Sequence, residues 1–294
     1  MFIAIIKSLR PRQWIKNLIV FAPLVFAGKL FDLTKFSDVA VAFILLSLMS
    51  GAVYIMNDIA DRKRDVLHPR KRLRPIASGI LPVRVAATTA ALLLVGVFAA
   101  ASLFYPRLLP VFGIYFILQP LYSYKLRNIA VVDVMTIASG FVLRIYAGML
   151  AADVPFSAWL IAVIFLLGLF LVFAKRRQEI AVFGSPNLAS SSQYRNSLTH
   201  YNIPWLDEMM GVSAAAIIVI YIIYTLSSSA VARLGTDMLF YSSIFVIFGI
   251  FRYLYHIKGD KLPDNPIDLV FKDPALLADI VLYGAFIFWV LYIN

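Results

Sequence analysis

Asp58, Asp61 and Asp65 stand at i, i+3 and i+7 within the stretch NDIADRKRDVLHPRKRLRP, Asn57 to Pro75. On a helix, at about 100° per residue, their carboxylates fall within roughly 60° of one another on one face. Three acids on one face need a positive charge among them. Hard oxygen donors at this spacing suit Mg²⁺, which takes one or two carboxylates and fills its shell with substrate phosphates. Arg70, Lys71, Arg72 and Arg74 follow directly. Carboxylates for a metal beside a basic cluster for phosphate are the equipment of a site that handles a diphosphate. The plainer alternative is a solvated loop of mixed charge. The helical register of the acids at a membrane boundary argues against it. On sequence alone these acids repel one another in the metal-free chain, so losing one is expected to raise the melting temperature.

The elements that must position this stretch are apolar. Of 294 residues, 62% are hydrophobic, well above the share in a soluble domain. Apolar stretches near spanning length recur throughout. They predict an all-α polytopic membrane protein, one integral-membrane domain over 1–294, with helical cap loops on the cytosolic side. Nine spanning segments are expected at roughly 14–30, 36–56, 83–104, 108–124, 128–150, 157–174, 207–231, 236–256 and 274–293. Most Lys and Arg fall before the first segment and after the second, fourth, sixth and eighth. The opposite loops carry only Lys29, Lys35, Arg107 and Arg233. The positive-inside rule then puts the N-terminus in the cytosol, the C-terminus outside, and the candidate site on the cytosolic face of the cell membrane. No cleavable signal peptide is evident.

Charge and composition narrow the chemistry further. The net charge of +11 speaks for anionic headgroups and an anionic substrate, not for nucleic acid. No cysteine is present, which excludes disulfides and thiolate metal sites. His68, His200 and His256 are scattered without metal-ligand spacing. A Gly-rich phosphate loop and a Ser-His-Asp constellation are absent.

Other charged residues sit where apolar runs begin or end. Lys16 and Asn17 open the first run beside Trp14, either as an interfacial anchor or as part of the site. Ser50, Gly51 and Ala52 allow close helix packing just before the acids. Tyr54 lies one turn before Asp58 on the same face, and Asn57 adjoins it. Tyr122 and Lys125 end the fourth segment, where Pro120 is expected to kink the helix; Arg127 reads as part of an aromatic and basic belt. Asp133 and Arg144 lie inside the fifth segment, about three turns and roughly 16 Å apart. Asp133 is close enough to the cytosolic end to join the site. Arg144 reads as structural, paired elsewhere in the bundle. Lys175, Arg176 and Glu179 share a face after the sixth segment, where Lys175 and Glu179 could form an i,i+4 pair. The polar run from Gly184 to Pro204 is long enough for a lid. Asp273-Pro274 reads as a helix start, and the acids of the last loop as caps and solvation.

These strings resemble a known family. NDxxDxxxD after the second segment resembles the UbiA-type intramembrane prenyltransferase superfamily. RPRQWIKN (Arg10 to Asn17), AVYIMNDIADRKRD, HPRKRLRPIASG (His68 to Gly79), VVDV with VLRIYAG, and AKRRQEI resemble its decaprenyl-phosphate phosphoribosyltransferase branch. The likeness runs over most of the chain and is dense to about residue 180. Aromatic prenyltransferases of the superfamily carry a second Asp-rich motif after the sixth helix; here Lys175-Arg176-Arg177-Gln178-Glu179 stands in its place.

The resemblance implies an all-helical bundle with a lateral opening to lipid. It implies Mg²⁺ held by Asp58, Asp61 and Asp65, and a donor, 5-phosphoribosyl 1-diphosphate, bound among Lys16, Asn17, Tyr54, Asn57, Lys71, Arg72, Arg74, Tyr122, Lys125, Asp133, Lys175, Arg176 and Glu179. A polyprenyl phosphate would be the acceptor. Two alternatives remain on the sequence. Prenyl transfer from a polyprenyl diphosphate to a small aromatic acceptor would favour a second acidic motif, which is missing. A transporter of anionic lipids or metabolites would fit the buried charge but gives no reason for acids in helical register. A homo-oligomer stays open.

Overall fold

The computed structural model describes residues 1–67, 71–183, 201–227, 231, 236–257, 259, 269–270 and 272–293. His68 to Arg70, most of the expected lid, His200, Arg233 and most of the last loop lie outside the described residues. Among the described residues every regular element is helical. The helices used below are α1 Phe2–Leu9, α2 Ala22–Phe26, α3 Leu33–Ala60, α4 Arg62–Asp65, α5 Val83–Phe104 and α6 Leu109–Tyr124. They continue with α7 Val132–Ala152, α8 Ala158–Phe183, α9 Ile203–Leu226, α10 Ser243–Ile257 and α11 Pro274–Tyr292. A 3-10 helix, Pro11–Phe21, precedes α2, and a 3-10 turn, Lys71–Leu73, follows α4.

Seven helices of the described residues are long and apolar enough to cross a membrane. The two other expected segments are also helical but shorter. Pro11–Phe21 winds as a 3-10 helix before the brief α2. The 16 residues of α6 rise about 24 Å, less than the roughly 30 Å of a bilayer core. α6 continues through Pro120 to Tyr124.

The helix that carries the acids is the longest. α3 begins where the Asp32 carboxylate accepts the Lys35 N–H at 3.1 Å, an N-cap that satisfies an orphan donor. Its 28 residues rise about 42 Å, more than the roughly 30 Å of a bilayer core. Asn57 and Asp58 sit on its last turn. Asp61 is the C-cap of α3, and the chain restarts as the four-residue α4. The single continuous helical face expected for the three acids is therefore broken at Asp61.

The chain falls into two compact units, residues 1–127 with 140–156, and residues 128–139 with 157–294. In the first, α3 packs against α5, the 3-10 helix, α1 and α6. Its core includes Val20, Leu24, Leu46, Met49, Val97, Phe112 and Ala147. Apolar side chains gain little from leaving lipid for protein, so intramembrane helices rely on close backbone approach. Two glycines supply it. A Cβ on Gly51 would stand 2.8 Å from Leu9 Cδ2, and one on Gly148 would stand 2.0 Å from the Val20 carbonyl oxygen. In the second unit α8 packs along α9, around Phe170, Phe173, Leu206, Met210, Ile217 and Tyr253.

Gly148 gives the sharpest test of this packing. Backbone cannot step aside as a side chain can, so Gly148→Ala is expected to cost about 3 kcal/mol or more, or to prevent folding. Gly96→Ala, on α5 with no atom within 4 Å of its added Cβ, is expected to leave the melting temperature unchanged or slightly raised. Thermal melts in detergent compare them, and equal melting temperatures would contradict the packing.

Candidate active site

Asp58 is 2% exposed and Asp65 3% exposed, so neither carboxylate keeps its water. Arg74 answers both. Its Nη1 donates to Asp58 Oδ1 at 3.0 Å and to Asp65 Oδ2 at 2.7 Å. Arg10 Nη2 donates to the same Asp58 oxygen at 2.5 Å. Arg10 has a left-handed backbone, φ 53, which ends α1 and turns the chain into the 3-10 helix. Its guanidinium lies over the Tyr54 ring, 4.9 Å from the centroid. Two arginines thus neutralise two buried acids, Arg74 from within the same sequence stretch and Arg10 from 48 positions before Asp58. The expected repulsion among the acids is reversed, because each buried carboxylate already has a cation.

Asp61 is placed differently. It is half-buried, and its Oδ2 lies 3.8 Å from Arg127 Nη1. Arg127 Nε is buried without a hydrogen-bond partner. Arg127 therefore belongs beside the acids and not only to an interfacial belt. Lys71 and Arg72 are exposed on the 3-10 turn that delivers Arg74. Asn57 and Lys16 are half-buried; Tyr122 and Lys125 lie at the end of α6, with Lys125 exposed.

The donor set fits Mg²⁺. Asp58 and Asp65 are close enough to share one cationic nitrogen, and their oxygens are hard ligands. Among the described residues no group of three or more His, Cys, Asp or Glu could hold a metal. Mg²⁺ would then take one or two protein carboxylates and rely on phosphate oxygens, its usual habit.

The first unit also holds a buried polar network below the acids. Asn17, 2% exposed, donates from Nδ2 to Ser47 Oγ at 3.0 Å and Ser50 Oγ at 3.2 Å. Its Oδ1 accepts from Arg144 Nε at 2.6 Å. Arg144 also donates to the Gly140 carbonyl at 2.6 Å and to the Tyr115 hydroxyl at 3.0 Å.

A second cluster lies in the other unit. Asp133 and Arg176 are fully buried and joined by Arg176 Nε to Asp133 Oδ2 at 3.0 Å. Arg176 Nη1 donates to Glu179 Oε2 at 2.6 Å. Glu179 thus pairs with Arg176, while Lys175 is exposed on the next position of α8. Tyr201 donates to Asp133 Oδ1 at 2.7 Å and accepts from the Val131 N–H at 2.6 Å. That bond holds Val131 at φ 66, a rare conformation for a β-branched residue. Burial and the bond to Asp133 push the Tyr201 hydroxyl well above its ordinary pKa.

Sequence reading missed Tyr201, whose position before α9 carries no signal. It also understated Asp273. Besides capping α11 through the Ala275 N–H at 2.8 Å, Asp273 accepts from Arg252 Nε at 2.8 Å and is bonded to His256. The Arg252 hydrogen bond holds its carboxyl down at about 2.

Helices of membrane-crossing length, with acids and arginines paired at the end of the longest, define an integral membrane protein suited to phosphate and a divalent cation. The chain belongs to the UbiA prenyltransferase family, which it matches over residues 18–271. It is 34% identical over 283 residues to the decaprenyl-phosphate phosphoribosyltransferase of Mycolicibacterium smegmatis, covering 92% of this chain and 87% of that protein. The enzyme of the same name from Mycobacterium tuberculosis H37Rv is 32% identical over 278 residues, covering 92% and 89%. A UbiA homolog from Archaeoglobus fulgidus, bound to GPP and Mg²⁺, shares the fold at TM-score 0.71 and 17% identity, covering 99% of this chain and all of that one.

The Arg74 bridge can be tested without substrate. Arg74→Gln leaves Asp65 without its guanidinium and Asp58 with Arg10 alone. With Arg74 partly exposed, the expected loss is about 2 kcal/mol in metal-free melts. Millimolar Mg²⁺ is expected to recover more of the melting temperature in the variant than in the parent. An unchanged melting temperature would contradict the bridge.

Proposed function

We propose that this chain transfers a 5-phosphoribosyl group from 5-phosphoribosyl 1-diphosphate to a polyprenyl phosphate, releasing diphosphate. The observation that carries the reading is the pairing of buried Asp58 and Asp65 with Arg74 and Arg10, beside the exposed Lys71 and Arg72. Relatives aligned over most of their length bear the name of this activity. The fold is that of a protein bound to a prenyl diphosphate and Mg²⁺.

In this reading one or two of Asp58, Asp61 and Asp65 would hold Mg²⁺, which would supply charge neutralisation to the departing diphosphate. Lys71, Arg72 and Arg74 donate to diphosphate oxygens. Arg10 and Tyr54 line the same end of α3, with Asn57 beside them. Lys16, Tyr122 and Lys125 are assigned to the donor on sequence grounds. So are Asp133, Lys175 and Arg176 for the ribose 5-phosphate, and Glu179 to accept from ribose hydroxyls or orient Lys175. An oxygen of the acceptor phosphate forms a bond to the anomeric carbon. The bond from that carbon to the diphosphate oxygen breaks, and diphosphate leaves with the electron pair. The attacking phosphate is already anionic, so no strong base is required. Positioning and electrostatic neutralisation do the rest.

The same reading sets the topology. Nine segments cross the cell membrane, counting Pro11–Phe26 and α6. The N-terminus and the acids face the cytosol and the C-terminus lies outside, as the distribution of Lys and Arg requires.

Purified protein supplied with labelled 5-phosphoribosyl 1-diphosphate, a polyprenyl phosphate and Mg²⁺ is expected to form a labelled lipid, and none in excess chelator. Asp58→Ala and Asp61→Ala are expected to abolish the product while the protein still elutes as a folded species. Failure to label the lipid, with prenyl transfer from a polyprenyl diphosphate to an aromatic acceptor, would assign the chain to that reaction instead.

A further inference from the structure

Among the described residues two arginines are buried, and they are treated differently. Arg176 is matched by the carboxylates of Asp133 and Glu179. Arg144, 8% exposed, bonds only to neutral acceptors among the described residues: the Asn17 amide oxygen, the Gly140 carbonyl and the Tyr115 hydroxyl. Its guanidinium also lies 5.1 Å from the centroid of Tyr115 and 5.7 Å from that of Phe141. These contacts orient the group and leave its charge unanswered. They use one N–H on each nitrogen, so each terminal nitrogen keeps another to donate. A cation without an anion at membrane depth is costly and marks a functional position. Packing alone does not require it, since a neutral amide could serve Asn17 and Tyr115.

The position of Arg144 says which anion it meets. Asn17 ties the guanidinium to Ser47 and Ser50 of α3. Ser50, Tyr54 and Asp58 follow at successive i+4 steps on one face of α3, so Ser50 lies about 12 Å deeper along the axis than Asp58. Tyr54 stands between the two levels. Arg10 stacks on its ring. A phosphate that displaces the diphosphate must approach the anomeric carbon from the side opposite the leaving group. With the diphosphate at the carboxylates, that side is the deeper one, toward the lipid from which the acceptor's chain comes.

We propose that Arg144 anchors the anionic head group of the acceptor, a phosphomonoester at the end of a polyprenyl chain, with Asn17 and Tyr115 as its positioning residues. The proposal rests on the phosphoribosyl-transfer reading. It makes Arg144 a residue that selects a lipid phosphate over the corresponding alcohol.

The test compares binding of geranylgeranyl phosphate and geranylgeraniol to the whole protein in detergent, with inorganic phosphate and 5-phosphoribosyl 1-diphosphate as separate probes. The parent is expected to prefer the lipid phosphate over the alcohol. Arg144→Met is expected to shrink that preference tenfold to hundredfold, the range of a charge-assisted hydrogen bond, with donor affinity changed less than about threefold. Arg144→Lys is expected to recover most of the preference. If the Met variant does not fold, Arg144→Gln, which can still donate to its neighbours without a charge, carries the same comparison. A preference kept in the neutral variant, or loss of lipid and donor binding together, would overturn the anchor. Inorganic phosphate competing as well as the lipid phosphate would overturn its lipid assignment. A parent that never forms phosphoribosyl lipid in the transfer assay, yet shows the Arg144 effect, would overturn the reaction and leave the anchor standing.

Discussion

A buried carboxylate is costly without a cation beside it, and Arg74 between Asp58 and Asp65 answers that cost for both. Much of the first unit serves that requirement. Asp58 lies on the last turn of α3, a helix of 28 residues. The break at Asp61 lets α4 swing Asp65 back toward the same guanidinium. The 3-10 turn Lys71–Leu73 delivers Arg74, and the left-handed Arg10 aims a second guanidinium at Asp58.

Each unit also holds a buried polar network. Asn17 joins Arg144 to Ser47 and Ser50, and Arg176 is matched by Asp133 and Glu179. Close packing around these groups is made by small residues. Gly148 admits the Val20 carbonyl, and Gly51 admits Leu9. Helix contact in lipid depends on such approaches more than on apolar burial.

The membrane class, the acidic motif and most of its basic neighbours were legible because each leaves a local mark: an apolar run, a helical spacing, a charge cluster. Asp273 as a helix cap was legible for the same reason. The pairings were not. Arg10 is 48 positions from Asp58, and Tyr201 is 68 from Asp133; nothing local announces either contact. The break at Asp61 was hidden because a helical pattern continues through it on paper. The spanning count blurred where the 3-10 winding of Pro11–Phe21 and the shortness of α6 depart from an ordinary crossing helix.

The central claim is that the acids and arginines at the end of α3 form a metal-assisted diphosphate site. Isothermal titration of 5-phosphoribosyl 1-diphosphate tests it most directly, using the parent with Mg²⁺, the parent with chelator, and Asp58→Asn with Mg²⁺. The account predicts measurable binding in the first case and at least tenfold weaker binding in the other two. Equal affinity in all three would contradict it.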